Sequence, residues 1–579
     1  MNLNQQQKKA VEFKDGPLLI LAGAGSGKTR ALTYRAAYLI KEKGIDPQRL
    51  LLVTFTNKAA KEMKERVNKL IGANLPWAGT FHGFCARILR IDGQAINLPK
   101  NFVIFDEDDS LATIKQAMDN LKIDNKLYRK NNIKACISAA KNELINSLEY
   151  SQLARGVFGE TVAKVFREYQ RLLKEYQALD FDDLLMLGVK LLKESGPVAK
   201  KYQEKFQYVL VDEYQDTNKA QYELTKALVK KWRNLTAVGD FSQSIYSWRG
   251  ADFRNLNNLQ VDFPDLKIIN LEQNYRSTKN ILDAANQVIS KNKSHPILKL
   301  WANSQEGPKI RIFEAGDEKE EAAFIAKEVK KLKYKDCAVL YRTNAQSRTI
   351  EEAFLKIGIP YVLVGGVKFY SRKEIKDCLA YLRFLVNPKD KVSFDRIVKL
   401  GKKQLDKFLE WKRPTYLTTR KILEKILEIT AYLKRFDEKD EEDLERLENI
   451  KELMSVAEEY SDLNEFLQNT ALVEEGDSIK ENKNAVTLMT LHASKGLEFK
   501  NVFMIGMEEG LFPHARSMMN RDEMEEERRL CYVGMTRTKE NLFFSYARKR
   551  LYFGFLGSNA VSRFLGDIEE NLLESINDY

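Results

Sequence analysis

The first hundred residues alternate between apolar runs and amphipathic stretches. An apolar run at 18–21 leads into a glycine-rich segment, and a helical pattern begins at Lys28. A second apolar run at 50–55 predicts another strand, and apolar residues with helical spacing predict a helix over 57–70. Continuous apolar strands are typical of parallel sheets, which are buried on both faces. The pattern therefore predicts an α/β fold.

Two further segments interrupt this alternation with mainly helical patterns. One lies at about 99–200, after which a pattern of strands and loops resumes at 206 and continues through 234–239. The other lies at about 384–479, where we interpret an acidic run as a solvated helix face and not as a binding tail. A second α/β region is predicted from strand candidates at 266–271, 310–313, 337–341, 486–490 and 502–505.

Composition narrows the class of protein. The 579 residues suggest about four domains by the usual length prior, and the net charge of +12 favours a polyanionic partner, although basic patches can also serve solubility. No apolar segment reaches the roughly 18–20 residues that span a bilayer, and the start lacks signal-peptide character. The five cysteines are widely separated, so we expect no zinc or iron–sulfur site and a reducing, cytoplasmic location.

The segment 20–29 (ILAGAGSGKT) has the composition of a phosphate-binding loop. Its glycines allow backbone N–H groups to surround an anion at a helix N-terminus. Lys28 can reach the β- and γ-phosphates of a nucleotide, and the Thr29 hydroxyl can ligate Mg²⁺. The first glycine of the usual pattern is replaced by Ala22, which suffices if that position has a negative φ. A flexible Gly/Ser turn is the alternative interpretation.

An acidic pair follows the predicted strand at 208–211. Ligands of open α/β sheets bind beyond the carboxyl ends of the strands, which is where Asp212 and Glu213 would lie. Asp212 suits a magnesium ligand, and Glu213 suits a base that polarises the attacking water. An acidic surface turn is the alternative, but the two motifs together predict nucleotide hydrolysis.

Further motifs occur in a fixed order along the chain. They are LNQQQ at 3–7, TFTNKAAKEM at 54–63, GTFH at 79–82, DFDDL at 180–184, VDEYQDT at 211–217, GDFSQSIYSWRGAD at 239–252, QNYRS at 273–277, TLHASKGLEF at 490–499 and YVGMTRT at 532–538. Together they resemble the motifs of UvrD/Rep/PcrA-type superfamily 1 DNA helicases, from residue 3 to about residue 565.

The resemblance implies two RecA-like P-loop domains with parallel sheets, each interrupted by a mainly helical insertion, the second one shortened. It also implies ATP held between the two RecA-like domains. The predicted limits are 1–98 and 201–268 for the first RecA-like domain and 99–200 for its insertion. Those of the second domain are 269–383 and 480–579, with an insertion at 384–479.

The resemblance also assigns an ATP site. ATP and Mg²⁺ are the implied ligands, with Thr29 and Asp212 as metal ligands and Glu213, Gln243, Arg276 and Arg537 as catalytic residues. Gln243 would sense the γ-phosphate, and the two arginines would neutralise charge during phosphoryl transfer. The remaining nucleotide contacts are Gln7 and Tyr275 at the base, Glu498 at the ribose, and Ala22, Gly23, Ala24, Gly25, Ser26, Gly27, Lys28, Thr29 and Arg276 around the phosphates.

A groove for single-stranded DNA is implied as well. Aromatic side chains stack on bases and polar ones bind phosphates. The family positions are matched by Phe55, Thr56, Thr80, His82, Phe181, Tyr246, Trp248, Arg249 and His492. For each aromatic residue, the alternative interpretation is a place in the hydrophobic core. Trp248 is the strongest candidate for a DNA contact because SWRG at 247–250 predicts an exposed loop.

The chain departs from the family at three places. Phe241 and Ser242 replace the more usual Asp-Asp or Pro-Asp pair, for which we expect little effect. The second insertion spans only about a hundred residues and lacks the Gly-Ile-Gly turn that contacts duplex DNA in the family, so we expect few duplex contacts. A basic C-terminal tail is also not expected.

The predicted function is an ATP-dependent 3′-to-5′ DNA helicase and single-strand translocase in DNA repair, recombination or replication. Its partners would be single-stranded and tailed or forked duplex DNA, with repair or replication proteins, no membrane, and a monomeric state expected. A helicase–nuclease subunit is disfavoured because no acidic nuclease motif follows 565. A non-catalytic DNA scaffold is disfavoured by the intact Lys28 and acidic pair, and a P-loop kinase by the lack of an acceptor-site motif.

Overall fold

The structure is a computed structural model that describes residues 3–72, 74–125, 127–304, 306–412, 414, 417–438, 440–475, 484–552 and 555–576. The chain forms two compact units. The first comprises Met1–Tyr275 with His295–Leu300, and the second comprises Arg276–Ser294 with Trp301–Tyr579.

A six-stranded, all-parallel sheet forms the centre of the first unit. Its strand order is β3-β2-β6-β7-β1-β8. In chain order the strands of this unit are β1 (Leu18–Ala22), β2 (Leu50–Thr54), β3 (Ala78–Thr80), β4 (Val103–Ile104), β5 (Ala178–Leu179), β6 (Tyr208–Val211), β7 (Leu235–Gly239), β8 (Lys267–Leu271) and β9 (Gln273–Asn274). Strands β1, β2, β6 and β7 are buried along their whole length, as their continuous apolar sequences predict.

Helices cover both faces of this sheet, and their apolar residues form two core clusters with it. In chain order they are α1 (Gln5–Val11), α2 (Lys28–Lys41), α3 (Asn57–Ile71), α4 (Phe81–Asp92), α5 (Glu107–Asn120), α6 (Lys130–Asn142), α7 (Ser147–Leu153), α8 (Gly156–Glu175), α9 (Phe181–Glu194), α10 (Gly196–Lys205), α11 (Lys219–Leu228) and α12 (Arg254–Asp262).

The segment between β3 and β6 is mainly helical, and its helices α4 and α9 pack tightly on each other. Gly188 in the middle of α9 faces Cys85 of α4, and a Cβ atom at Gly188 would lie only 2.8 Å from the Cys85 sulfur. The two helices therefore approach more closely than any larger residue at position 188 would allow.

One strand is placed differently from its prediction. The strand at 266–271, predicted as part of the second α/β region, is β8, and it pairs in parallel with β1 from Leu18 to Ala22. It completes the first sheet. The hydrophobic pattern identified the strand, but the choice of partner depends on contacts more than 240 residues away in sequence. The predicted domain limit at 268 falls inside β8, and the other domain limits stay predictions.

The second unit contains a seven-stranded, all-parallel sheet. Its order is β13-β14-β12-β15-β16-β11-β19. The strands of this unit are β10 (Trp301–Ala302), β11 (Ile310–Ala315), β12 (Cys337–Tyr341), β13 (Tyr361–Val364), β14 (Val486–Thr490), β15 (Phe499–Met504), β16 (Thr538–Ala547), β17 (Arg550–Tyr552), β18 (Phe555–Gly557) and β19 (Leu573–Ile576). The two large parallel sheets confirm the predicted α/β class.

The helices of the second unit include a group between α16 and β14 with its own core. In chain order they are α13 (Lys279–Ile289), α14 (Glu318–Lys330), α15 (Ser347–Lys356), α16 (Lys373–Val386), α17 (Lys391–Leu400), α18 (Lys402–Glu410), α19 (Thr419–Thr430), α20 (Glu441–Glu458), α21 (Leu463–Glu475), α22 (Arg521–Met535) and α23 (Arg563–Gly566). Buried Arg348 of α15 links this group to α15 by pairing with Glu452 of α20 at 2.6 Å.

Within the described ranges, no helix combines the length and apolar character needed to cross a bilayer.

Candidate functional site

The glycine-rich loop connects β1 to α2 and has the backbone of an anion cradle. Gly25 and Gly27 adopt positive φ values of 67° and 84°, a region that glycine enters at little cost. Ala22 is the last residue of the buried strand β1 and does not have a positive φ, so alanine fits this position. The loop and the first turn of α2 thus have the arrangement that the sequence predicts.

The loop is closed by hydrogen bonds to its own backbone and to β9. The Ser26 hydroxyl donates to the Gly23 carbonyl at 2.7 Å. The Asn274 amide donates to the Ala24 carbonyl at 2.7 Å, and the Tyr275 N–H donates to the Gly25 carbonyl at 3.0 Å. These bonds occupy the carbonyls of Gly23, Ala24 and Gly25, while the Gly23 and Ser26 N–H groups donate to the Leu271 and Gly23 carbonyls at 3.2 Å.

The acidic pair lies directly beyond the end of β6. Thr29 at the start of α2 donates from its hydroxyl to Asp212 Oδ2 at 3.3 Å. Burial, and after it the neighbouring Glu213 carboxylate, raises the pKa of Asp212 to about 7. Asp212 Oδ1 is buried and has no hydrogen-bond partner within the described part of the chain.

This donor set fits a magnesium ion. A hydroxyl and a carboxylate are oxygen ligands of the kind that Mg²⁺ prefers, and a buried carboxylate oxygen without a partner is a position that a cation would satisfy. Thr29 and Asp212 are therefore suited to hold the ion, while nucleotide phosphates and water would supply its other ligands.

Glu213 has an unusual backbone conformation. Its φ is +52° and its ψ is 42°, in the left-handed region that residues other than glycine seldom occupy. Such a conformation costs about 1–3 kcal/mol and is concentrated at functional sites. The Glu213 side chain keeps about a quarter of its surface exposed, so it is accessible to water.

Lys28 joins the loop to the acidic pair. Its ammonium lies 3.3 Å from Glu213 Oε2 and donates to Gln243 Oε1 at 3.1 Å. The Lys28 side chain is only a tenth exposed, so this charge acts in a poorly solvated environment. Three residues that the sequence assigned separately, Lys28, Glu213 and Gln243, therefore meet at one point.

Two residues that sequence reasoning did not assign complete this network. Gln215 is fully buried, donates to Glu213 Oε2, and accepts from the Asp240 N–H at 3.0 Å. Asp240, whose pKa is raised by burial, accepts from the Gln243 amide at 2.6 Å. Gln215 lies in the motif at 211–217 and Asp240 in the motif at 239–252, and their closeness in sequence to Glu213 and Gln243 is the signal that could have identified them.

The residues predicted at the base lie next to the loop. Tyr275 is 56% exposed, and its hydroxyl accepts from the Asn4 amide at 2.7 Å, which leaves the ring face open to stacking. Gln7 is buried, and its amide donates to the Ser26 carbonyl at 2.8 Å and accepts from the Asn4 N–H at 3.1 Å. Adenine recognition by Gln7 stays a prediction and would require an exchange of these hydrogen bonds.

The second unit brings together the other predicted nucleotide residues. Arg276 donates to Glu498 Oε2 at 2.9 Å and to the Thr536 carbonyl at 3.0 Å. Glu498 also pairs with Lys539 at 2.6 Å, and although burial would raise the pKa of this carboxyl, Lys539 and Arg276 lower it. Glu498 thus stands as an anion beside Arg276, and its contact with ribose stays a prediction.

Arg537 is held more firmly than Arg276. It is only 2% exposed, donates to the Val533 carbonyl at 2.9 Å and donates to the Thr536 hydroxyl at 3.1 Å. Arg276 and Arg537 therefore flank the same residue, Thr536. Their approach to a γ-phosphate remains a prediction.

The aromatic residues predicted to line the DNA groove differ in exposure. Trp248 is 46% exposed and packs edge-on against Tyr246 at a centroid distance of 6.5 Å. Phe181 is 50% exposed and lies edge-on to His82 at 5.8 Å. Phe55 is half-buried and packs against Phe81 of the core, so among these aromatic residues its contacts best fit a structural role.

The polar residues predicted to bind phosphates lie mainly at helix starts. Thr56 and Thr80 are the N-caps of α3 and α4, and each hydroxyl accepts a backbone N–H at 3.1 Å. Burial lowers the pKa of His82, so its ring is neutral at pH 7. His492 lies half-buried in a short turn after β14, and the side chain of Arg249 is outside the described residues. The DNA roles stay predictions.

Comparison with known proteins covers the whole chain. The family described as the UvrD/REP helicase N-terminal domain matches residues 3–264, and that described as the UvrD-like helicase C-terminal domain matches 269–421 and 404–549. A protein named ATP-dependent DNA helicase PcrA from Bacillus subtilis (strain 168) is 44% identical over 641 aligned positions, which cover 100% of this chain and 87% of that protein. A protein of the same name from Staphylococcus aureus (strain Mu50 / ATCC 700699) is 44% identical over 636 positions, with 99% and 87% covered.

Proposed function

This chain belongs to the UvrD-like helicase family, and on that premise we propose that it is an ATP-dependent DNA helicase that translocates 3′-to-5′ on single-stranded DNA. The observation that carries the proposal is the meeting of Lys28, Glu213 and Gln243 within hydrogen-bond distance beside the phosphate loop. This combination supplies phosphate binding, a base and a sensor at one point.

The proposed chemistry assigns each group a separate task. The Lys28 ammonium neutralises the β- and γ-phosphates, and the loop N–H groups orient them. Glu213, positioned by Gln215, accepts the proton of the attacking water. Gln243 contacts both Lys28 and Asp240. A change at the phosphates is therefore passed through Gln243 to the start of the motif at 239–252, which carries Trp248. Mg²⁺ bound at Thr29 and Asp212 would neutralise developing phosphate charge.

We further propose that the substrates are single-stranded DNA and duplexes with tails or forks. The exposed rings of Phe181 and Trp248 and the net charge of +12 support this choice. Roles in repair, recombination or replication, protein partners from those processes, a monomeric state and a cytoplasmic location are parts of the same proposal. The five free cysteines are compatible with a reducing compartment.

The test is a comparison of DNA-stimulated ATP hydrolysis and strand separation on duplexes with 3′ or 5′ tails. We expect stimulation by single-stranded DNA and separation of the 3′-tailed duplex, with Lys28→Ala inactive in both assays. Separation only from a 5′ tail would refute the polarity, and hydrolysis that is indifferent to DNA would refute the helicase assignment.

Trp248→Ala should weaken binding of single-stranded DNA by about 1–3 kcal/mol, because one stacked base is lost. Fluorescence anisotropy with a labelled oligonucleotide measures the change. Trp232, 38% exposed with its indole N–H bonded to the Glu204 carbonyl, provides a matched control as Trp232→Ala. Unchanged affinity together with a lower melting temperature would identify Trp248 as a structural residue.

A duplex added to a 3′ single-stranded tail should tighten binding by less than about tenfold, or about 1.4 kcal/mol. The reason is the shortened insertion without a Gly-Ile-Gly turn, where α17 passes directly into α18 through Gly401. Counterion release scales with the phosphates neutralised, so salt dependence should be nearly the same for both ligands. A clearly steeper slope on the tailed duplex would show instead that the lysines of 399–407 contact double-stranded DNA.

A further inference from the structure

A fully buried lysine lies outside the ATP site, in the last turn of α6. Lys141 is 0% exposed, and its ammonium lies 2.6 Å from Asp180 Oδ2 and 2.8 Å from Asp183 Oδ1. Lysine is almost never fully buried unless its charge is paired. Although burial would lower it, the two carboxylates raise the pKa of Lys141, so the residue stays charged.

The two carboxylates that Lys141 bridges form the N-terminal cap of α9. Asp180 accepts the Asp183 N–H at 2.7 Å, and Asp183 in turn accepts the Asp180 N–H. The Tyr169 hydroxyl also donates to Asp180, at 2.9 Å. Two acidic side chains buried this close together repel each other, and the lysine offsets that repulsion. The start of α9 therefore depends on Lys141.

Phe181 is the first residue of α9 and lies between the two capping residues, Asp180 and Asp183. Its ring is half exposed while the flanking Asp180 and Asp183 are buried, and it lies edge-on to His82 at the start of α4. The cap fixes the backbone from which this ring projects. An exposed aromatic ring on a rigid backbone loses little entropy when a base stacks on it.

The neighbour of Lys141 connects the same helix start to the segment after Glu213. Asn142 donates to Asp182 Oδ1 at 3.2 Å and accepts from the Asn218 amide at 2.6 Å. Thr217, next to Asn218, accepts from the Asp252 N–H at 3.0 Å, just after the Trp248 turn. Hydrogen bonds thus connect the start of α9 to the segment 217–218, which follows the acidic pair. Through that segment they also reach Asp252, which follows the Trp248 turn.

We propose that Lys141 is a positioning residue of the DNA-binding surface, which acts by holding the cap of α9 so that Phe181 stacks on a base of single-stranded DNA. This inference rests on the proposed function. It adds a buried residue that does not touch DNA to the groups that set DNA affinity.

A double-mutant cycle tests this role with labelled oligothymidylate as the probe. Lys141→Met and Phe181→Ala should each weaken binding about tenfold, in the range of one lost base stack. The double variant should bind no more than about twofold more weakly than either single variant, because both changes remove the same contact. Multiplicative losses, or wild-type affinity in Lys141→Met, would overturn the proposal.

A second variant separates positioning from stability. Lys141→Met leaves two unneutralised carboxylates, whereas Lys141→Met with Asp183→Asn restores the net charge of the cluster and keeps an acceptor for the Asp180 N–H. The contacts of the Lys141 ammonium with Asp180 and Asp183 are still absent from this variant, so we expect it to recover the melting temperature but not the DNA affinity. Recovery of both would show that Lys141 is only structural. Lys193→Met, which removes an exposed ion pair with Glu223 at the other end of α9, is the matched control.

The outcomes also separate this inference from the function on which it rests. A wild-type protein that fails to bind oligothymidylate would overturn the proposed function. A wild-type protein that binds it while Phe181→Ala binds equally well would overturn only the role of Lys141 and Phe181.

Discussion

Glu213→Gln should bind ATP with nearly normal affinity and hydrolyse it about 10²–10⁴-fold more slowly, the usual contribution of a general base. The amide has the shape of the carboxylate and can remain near Lys28 and Gln215, but it cannot accept a proton from water. Equilibrium binding of a fluorescent ATP analogue and steady-state hydrolysis with saturating single-stranded DNA measure the two properties.

Two further variants make the Glu213 result interpretable. Lys28→Ala should lose hydrolysis because phosphate neutralisation is removed, so its defect extends to nucleotide binding. Glu62→Gln, on the exposed surface of α3, is a charge-matched control that should behave as wild type. Near-normal hydrolysis by Glu213→Gln would rule out Glu213 as the base and direct attention to Asp240, the next buried carboxylate in the network.

Arg276→Ala should lower the turnover number by about 10³-fold or more, the effect of losing an arginine that neutralises the transferring phosphoryl group. Arg276→Lys should recover only part of the loss, because lysine lacks the planar fork of the guanidinium. Stopped-flow measurement of phosphate release with saturating ATP and DNA reports turnover separately from binding.

The two arginines beside Thr536 should differ in their effects on stability. Arg276 forms an ion pair with Glu498, whose side chain is 45% exposed and keeps Lys539 as a partner, and it donates to one backbone carbonyl, so Arg276→Ala should melt near the wild-type temperature. Arg537 is buried against backbone carbonyls, and its truncation should lower the melting temperature as well as turnover. Arg521→Ala, at a 71% exposed side chain, serves as the control. Wild-type turnover in Arg276→Ala would remove this arginine from the catalytic set.

The secondary structure could be predicted wherever its signal is local. The strand predicted at 18–21 is Leu18–Ala22, and the helix predicted at 57–70 is Asn57–Ile71, because apolar spacing depends only on neighbouring residues. The strand at 266–271 was found but assigned to the wrong sheet, since its partner β1 is fixed by tertiary packing. Local patterns identify strands, but they do not identify the partners of those strands.

The same distinction applies to the site. The loop and the acidic pair could be predicted because each is a contiguous motif. The contact between Lys28 and Gln243 joins residues 215 positions apart, and only the fold brings them together. Recognition of adenine by Gln7 stays a prediction, and the hydrogen bonds of its amide with Asn4 and Ser26 could not be predicted from the sequence. Polar side chains satisfy their hydrogen bonds with whatever lies near them, and sequence does not disclose those neighbours.

The close packing of Gly188 on Cys85 has a consequence for motion. Helix α4 begins beside His82 and α9 begins at Phe181, so the spacing of these two rings is set by helices with no room for a side chain between them. Close-packed protein interiors have low compressibility. We therefore expect the two rings to keep their spacing through a catalytic cycle, and the displacement that carries the chain along DNA to arise outside this helix pair.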